Sequence, residues 1–183
     1  AQELTNSRLI SFDDELPGSW VYCMAEDSLG FLWIGTNGGL VRYDGSRMKI
    51  YRHSPESESI SGNSIRDIVI VGDTLWCAHN NGISRMNLAT GTIRNFTFET
   101  RNPYFRDRNK VETAYVIVQL RNGSIWGGLE YDGMVCWDAA RDTFLRVRPP
   151  SEMVKPYYDT RWSADQINSV VEDRTKDGVL WIG

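Results

Sequence analysis

The sequence has few of the residues most enzymes work with. Its 183 residues include only two histidines, His53 and His79, and three cysteines, Cys23, Cys77 and Cys136. There is no C-x-x-C pair and no Cys/His cluster, which argues against a zinc site. Each cysteine falls in a predicted strand beside apolar neighbours and reads as a small buried side chain. The sequence also lacks an Asp-x-Asp-x-Asp-Gly calcium loop and a phosphate-cradling glycine loop, so no metal and no cofactor is expected. No apolar run is long enough to span a bilayer, and no membrane contact is expected within this segment. The net charge is −4 with both signs spread along the chain, which argues against an extended nucleic-acid surface. The first residues, Ala1-Gln2-Glu3, lack the basic-then-apolar layout of a signal peptide. They read either as the start left after signal cleavage or as an arbitrary boundary. Hydrophobic residues make up 41% and charged residues 24%, the composition of a globular domain with a real core.

What the sequence does have is repetition. Gly30-Phe31-Leu32-Trp33-Ile34-Gly35 returns as Gly178-Val179-Leu180-Trp181-Ile182-Gly183, with looser copies around Leu75-Trp76-Cys77 and Ile125-Trp126-Gly127. The four tryptophans are spaced by 43, 50 and 55 residues. A period of roughly 40–50 residues holding several short strands is the signature of a β-propeller. Helical repeats of that length would need long stretches of 3.6-residue periodicity, which are absent. The expected fold is all-β: a partial propeller of about three and a half four-stranded antiparallel blades.

The blades are expected at about 20–53, 64–98, 111–147 and 167–183. In the first, 21–25 forms the inner strand, 31–35 the second, 40–43 the third and 48–52 the outer one. Leu32-Trp33-Ile34 is apolar on both faces, as suits a sheet packed between two neighbouring sheets. Gly38-Gly39 and Asp44-Gly45 supply tight turns, and Gly127-Gly128 is read the same way. Residues 8–12 resemble an outer strand able to close a ring. A ring needs about four to eight blades, so the chain reads as part of a longer protein, or else as a unit whose copies associate through half blades.

The pattern Asp27-x-x-Gly30-x-Leu32-Trp33-Ile34-Gly35-Thr36-x-x-Gly39-Leu40-x-Arg42-Tyr43-Asp44 resembles the two-component regulator propeller repeat. The second copy departs from it with Cys77-Ala78-His79, and the third with Gly127-Gly128-Leu129 and Trp137. The resemblance implies the periplasmic sensor region of a hybrid two-component system, of the kind best known in gut Bacteroidetes. Such an ectodomain of an inner-membrane histidine kinase often responds to oligosaccharides and controls polysaccharide-utilisation genes. The segment itself is then expected not to be an enzyme.

The bland reading covers most of the polar residues. His53 reads as an exposed edge residue. Asp13-Asp14, Asp27, Asp44, Asp132 and Asp138 read as turn residues. Ser84 and Asp73 lie near His79 in sequence, but nearness is no argument for a catalytic set. The long loops between blades are more informative, because binding residues concentrate on loops held by a rigid scaffold. In a propeller these loops share a face with the turns between second and third strands. That face would gather Tyr104, Arg106, Tyr157, Tyr158, Arg161 and Trp162 with Asn37, His79 and Glu130. Aromatic rings suit the C–H face of a sugar, Arg, Asn and Glu suit its hydroxyls, and Arg101, Arg106, Arg108 and Lys110 suit an acidic one. Two other readings compete. One is a protein-interaction or dimerisation scaffold. The other is a carbohydrate-active enzyme, which would need paired carboxylates about 5–10 Å apart.

Overall fold

The structure is a computed structural model, and it describes residues 16–55, 58–100, 110–147, 166–176 and 179–183. Three four-stranded antiparallel sheets and one two-stranded sheet follow one another along the chain. The first holds β1 (Val21–Glu26), β2 (Leu32–Thr36), β3 (Gly39–Tyr43) and β4 (Met48–Tyr51). The second holds β5 (Ile65–Val71), β6 (Thr74–His79), β7 (Gly82–Asn87) and β8 (Ile93–Phe96). The third holds β9 (Ala114–Gln119), β10 (Ile125–Leu129), β11 (Met134–Asp138) and β12 (Thr143–Val147). The last pairs β13 (Val170–Glu172) with β14 (Leu180–Ile182). Each sheet is a meander in which sequence neighbours pair. Consecutive sheets meet through their first strands, β1 against β5 and β5 against β9. This is an unclosed propeller with β1, β5 and β9 innermost. The lead strand expected at 8–12 lies outside the described residues.

The core lies between blades. Trp33, Leu40, Ile60, Ile65, Ile68 and Leu75 close the seam between the first and second blades. Trp76, Ile83, Phe96, Ile117, Val135 and Phe144 close the next. A smaller cluster of Val116, Met134, Ile167 and Val170 follows. The second strands read as apolar on both faces because both faces are covered: Trp33 and Ile34 are each only 1% exposed.

Gly127 and Gly128 correct the turn reading given to them. They lie inside β10, paired with Val135 and Met134, and neither has a positive φ. Their role is close packing. A Cβ on Gly128 would come within 2.6 Å of both Ile167 and Val116, and one on Gly127 within 2.8 Å of Ile83. Gly35 holds the matching place in the first blade, where a Cβ would press on Cys23 and lie 2.9 Å from Ile65. Gly39 does serve a turn, with φ 150°.

At the end of the blades carrying the β1–β2 and β3–β4 turns, a short polar hub holds the tryptophan of the first, third and last blades. Asp27 accepts N–H bonds from Leu29 and Phe31, both at 3.0 Å, and from Trp33 Nε1 at 2.8 Å. Asp173 repeats this with Thr175, Lys176 and Trp181 Nε1 at 2.8, 3.0 and 2.9 Å. In the third blade Ser124 Oγ accepts from Trp126 Nε1 at 2.9 Å, and the Ser124 backbone N–H donates to Asn122. These bonds draw the exposed Asp173 carboxyl down to about 2.

Candidate functional site

The opposite end of the blades carries a backbone irregularity at the same place in each sheet. Val21 pairs with Thr36 and Cys23 with Gly35, leaving Tyr22 unopposed. Ile65 pairs with His79 and Asp67 with Ala78, leaving Arg66 unopposed. Ala114 pairs with Leu129 and Val116 with Gly128, leaving Tyr115 unopposed. In the last sheet Asn168 and Ser169 both donate to the Gly183 carbonyl, at 2.8 and 2.9 Å. A bulge of this kind inserts one extra residue, bends the strand and re-aims a side chain. The first three inner strands therefore present Tyr22, Arg66 and Tyr115 at equivalent positions on one end of the molecule, and Asn168, two residues ahead of β13, stands at the matching point of the last blade.

Three of these residues touch. The Arg66 guanidinium lies 4.5 Å from the Tyr22 ring centre and 5.5 Å from that of Tyr115. Each contact crosses a blade seam, and such cation–π pairs are worth about 0.5–1 kcal/mol at accessible sites. The acid next to Arg66 turns elsewhere. Asp67 accepts from Ile68 N and, across the seam, from Ile117 N, both at 2.9 Å. Burial raises the Asp67 carboxyl despite those two bonds. Burial first, with Asp67 and Cys77 close by, pushes the Cys23 thiol up to about 12.

Beside Tyr115 the rim is ionic. Lys110 Nζ is 3.0 Å from Glu130 Oε2 and 4.1 Å from the Tyr131 ring centre. Burial pulls the Lys110 ammonium down, but its bonds to Tyr131 and Glu130 outweigh that and raise it. Glu112 is fully buried and accepts from Tyr131 N at 2.8 Å. Burial first, and Glu130 after it, raise the Glu112 carboxyl, while Thr100, Tyr131 N and Arg146 pull it back. Arg146 pairs with Asp132 and donates to the Glu99 carbonyl at 2.5 Å. Glu99 bridges Val111, and Thr100 N donates to Lys110 O at 3.0 Å. The base of the second interblade loop is thus anchored to this end.

Of the residues proposed from sequence, Tyr104, Arg106, Tyr157, Tyr158, Arg161 and Trp162 lie outside the described residues. Asn37 is exposed on this end, where its Oδ1 accepts from Trp20 N at 3.1 Å. Glu130 stands beside Tyr115's neighbours, paired with Lys110. His79 is no ligand contact. It is wholly buried, and burial, with His53 nearby, drives its pKa down to about 3. Its Nδ1 accepts from Asn81 N at 3.2 Å, so Nε2 carries the proton and donates to Ser84 Oγ at 2.7 Å. Ser84 in turn donates to Asn95 at 2.5 Å. A histidine that donates to a serine is not its base, and Asp73 has no part in this chain. His79 does the work of Thr36, whose Oγ1 accepts from Gly38 N at 3.1 Å: both pin the tight turn that follows β2 or β6.

Tyr22, Arg66, Tyr115, Glu112 and Asn168 escaped the sequence reading. Bulge residues precede their blade's tryptophan by 11, 10, 11 and 13 positions, so aligning repeats on tryptophan stacks Tyr22 on Tyr115 but does not stack all four. Only the pairing register does.

A cavity of about 450 Å³ opens at the other end, lined by Trp76, Arg85, Arg94 and Trp137 among others. Its two arginines share Asp142, Arg85 at 2.8 Å.

Comparison with known proteins gives a class. Residues 15–38 match the family model of the two component regulator propeller. The match spans the first two strands of the first blade, and the later blades repeat the same strand plan. Over 49 residues, 26% of this chain, the sequence is 49% identical to Histidine kinase P4 of Formosa agariphila, of which this covers 4%. The fold matches, at TM-score 0.72 and 22% identity, the extracellular domain of a B. thetaiotaomicron protein assigned to the hybrid two component systems. That match covers 96% of this chain and 23% of the other. PorZ, a surface component of the type-IX secretion system of Porphyromonas gingivalis, matches at TM-score 0.63 and 14% identity, covering 94% of this chain and 26% of PorZ. The chain spans about a quarter of the solved chains it resembles and a small part of the kinase.

Proposed function

We propose that this chain is a ligand-binding part of the extracytoplasmic sensor region of a two-component signalling protein. Its ligand is an oligosaccharide, bound at the bulged end of the blades, and its output is control of polysaccharide-utilisation genes through a histidine kinase. The observation that carries this reading is the contrast between a repeated scaffold and four bulge positions that carry three kinds of side chain. The backbone feature recurs in every blade, while the side chains it presents are Tyr22, Arg66, Tyr115 and Asn168. Aromatic faces, a guanidinium and an amide are what a sugar's C–H face and hydroxyls require. The likeness to extracellular domains of two-component systems supports the location and the signalling role. The segment's part is recognition, not chemistry. Glu112 is wholly buried and Glu130 is held by Lys110, so among the described residues this end offers no pair of free carboxylates for glycoside hydrolysis. A ligand shifts a signalling equilibrium only as far as it binds one state better than the other. The propeller is the rigid platform for that difference.

A second reading, a docking scaffold, has one observation in its favour. The first blade exposes Trp20, Met24 and Leu29 at 65%, 63% and 79%. Further blades or a second copy of the chain are the partners proposed for that face.

Calorimetry of the intact protein against an oligosaccharide panel tests the main reading. Heat with at least one glycan, lost in a Tyr22→Ala/Tyr115→Ala double variant that still folds, is expected. Binding that ignores both tyrosines would move the site elsewhere, and silence across the panel would favour the scaffold.

A further inference from the structure

Resting on the oligosaccharide reading, we propose that Arg66 is the anion-recognition residue of the bulged end and that the ligand carries a carboxylate or sulfate on a sugar ring. A guanidinium presents five N–H donors in a planar fork suited to a carboxylate or sulfate. Among the described residues Arg66 makes no hydrogen bond and no ion pair, and its Nε is buried without a partner. Other arginines of the later blades are provided for. Arg85 and Arg94 share Asp142, Arg121 has Glu172, Arg141 has Asp138 and Arg146 has Asp132.

The surroundings explain why Arg66 is left open. Among the described residues, the carboxylates nearest this end face other partners. Asp67 is fixed by two backbone N–H groups. Glu130 is occupied by Lys110. Glu112 is buried against Tyr131 N. What Arg66 does have is two aromatic faces, and cation–π contact engages the face of the guanidinium while its donors lie in the plane. Tyr22 and Tyr115 thereby hold the side chain without using the fork. A partly desolvated guanidinium with unused donors is costly unless an acceptor arrives. An arriving carboxylate or sulfate takes two parallel bonds at once. The bulge adds the positioning, because it takes Arg66 out of the alternation that sends its neighbours Ile65 and Ile68 into the seam. Tyr22, 37% exposed, supplies a rim against which the sugar ring can lie.

The test is calorimetry on the intact protein with three probes. They are a glucuronate-terminated oligosaccharide, its carboxyl-reduced neutral counterpart, and the neutral sugar bearing a sulfate in place of the carboxylate. An anionic probe is expected to bind at least tenfold tighter than the neutral one, with affinity falling as salt rises. Arg66→Gln is expected to remove that advantage, so that anionic and neutral probes bind alike. Arg66→Lys, which keeps the charge but not the fork, should retain only part of it; this variant also stands in should the glutamine variant fail to fold. Preference for the carboxylated or the sulfated probe names the group. Equal binding of neutral and anionic probes, or an anionic preference that survives Arg66→Gln, would overturn the role of Arg66 while leaving glycan sensing intact. No binding of any probe, together with no binding across the wider panel, would remove the oligosaccharide reading and this inference with it.

Discussion

The two ends of the blades use one backbone plan for opposite purposes. At the turn end, the first and last blades repeat side chains as well as backbone: Asp27 holds Trp33 as Asp173 holds Trp181. At the bulged end the backbone repeats while the side chain changes from tyrosine in the first and third blades to arginine in the second and asparagine in the last. Where a residue's job is to fit the neighbouring blade, the repeat fixes its identity. Where the side chain leaves the sheet, the fold sets only its position. The second blade shows how a scaffold position can still change its means. Trp76 has no carboxylate on its indole among the described residues. It sits instead in a cluster with Phe96, Trp137 and Phe144, ring centres 4.9–6.2 Å away, with Arg85 at 5.6 Å.

This division is open to direct attack, and the largest effect belongs to the turn end. Trp33→Ala removes a side chain 1% exposed at the centre of a seam. A loss of about 3–5 kcal/mol is expected in urea unfolding; a loss near that of a surface change would mean the seams do not carry the fold.

Next comes Asp27→Ala, which leaves two backbone N–H groups and the Trp33 indole without their acceptor. About 2 kcal/mol is expected, with Asp27→Asn recovering part of it. A neutral result would show that the hub follows tryptophan packing and does not stabilise it.

The third concerns pH and His79. Its folded pKa, about 3, lies below the ordinary 6.5. Below the ordinary value the unfolded chain binds a proton that the folded chain refuses. Stability from this group is therefore intact above about 6.5 and lost as pH falls toward about 3, by up to ~1.4 kcal/mol per unit. The raised carboxyls of Asp67 and Glu112 act in the other direction in acid, so the contrast is with His79→Thr, the residue of the first blade. The variant is expected to lose less stability between about pH 7 and pH 5 than the parent; parallel curves would mean that His79 is protonated in the fold.

The smallest stability effects belong to the bulged end. Tyr22→Ala and Asn37→Ala should each cost about 1 kcal/mol or less in thermal or urea unfolding. Tyr22→Ala should nonetheless abolish glycan heat. If it destabilises as much as Asp27→Ala, the bulged end is scaffold too.

Much of this was legible in the chain. The tryptophan spacing and the glycine turns point to blades, and Asp27 reads as an acceptor of backbone N–H groups, which it is. The indole bond was not legible, since it depends on a strand folding back over its own turn. Gly127-Gly128 looked like a turn because glycine pairs usually are; that they make room for Ile167 and Val116 requires knowing which strand lies alongside. His79 looked like a residue near a loop face. The loop face is real, but Ser84, Asn95 and the following turn enclose the ring.

The sequence by itself determined the repeat, the strands and the seams, because these depend on local pattern: an apolar triplet covered on both faces, and turns that need glycine or an aspartate. It did not determine which polar residues share a surface. Tyr22, Arg66, Tyr115 and Asn168 are scattered over almost 150 residues and keep no common distance from any motif. A one-residue slip in strand pairing, repeated blade after blade, brings them to one end, and that register exists only once the strands have paired.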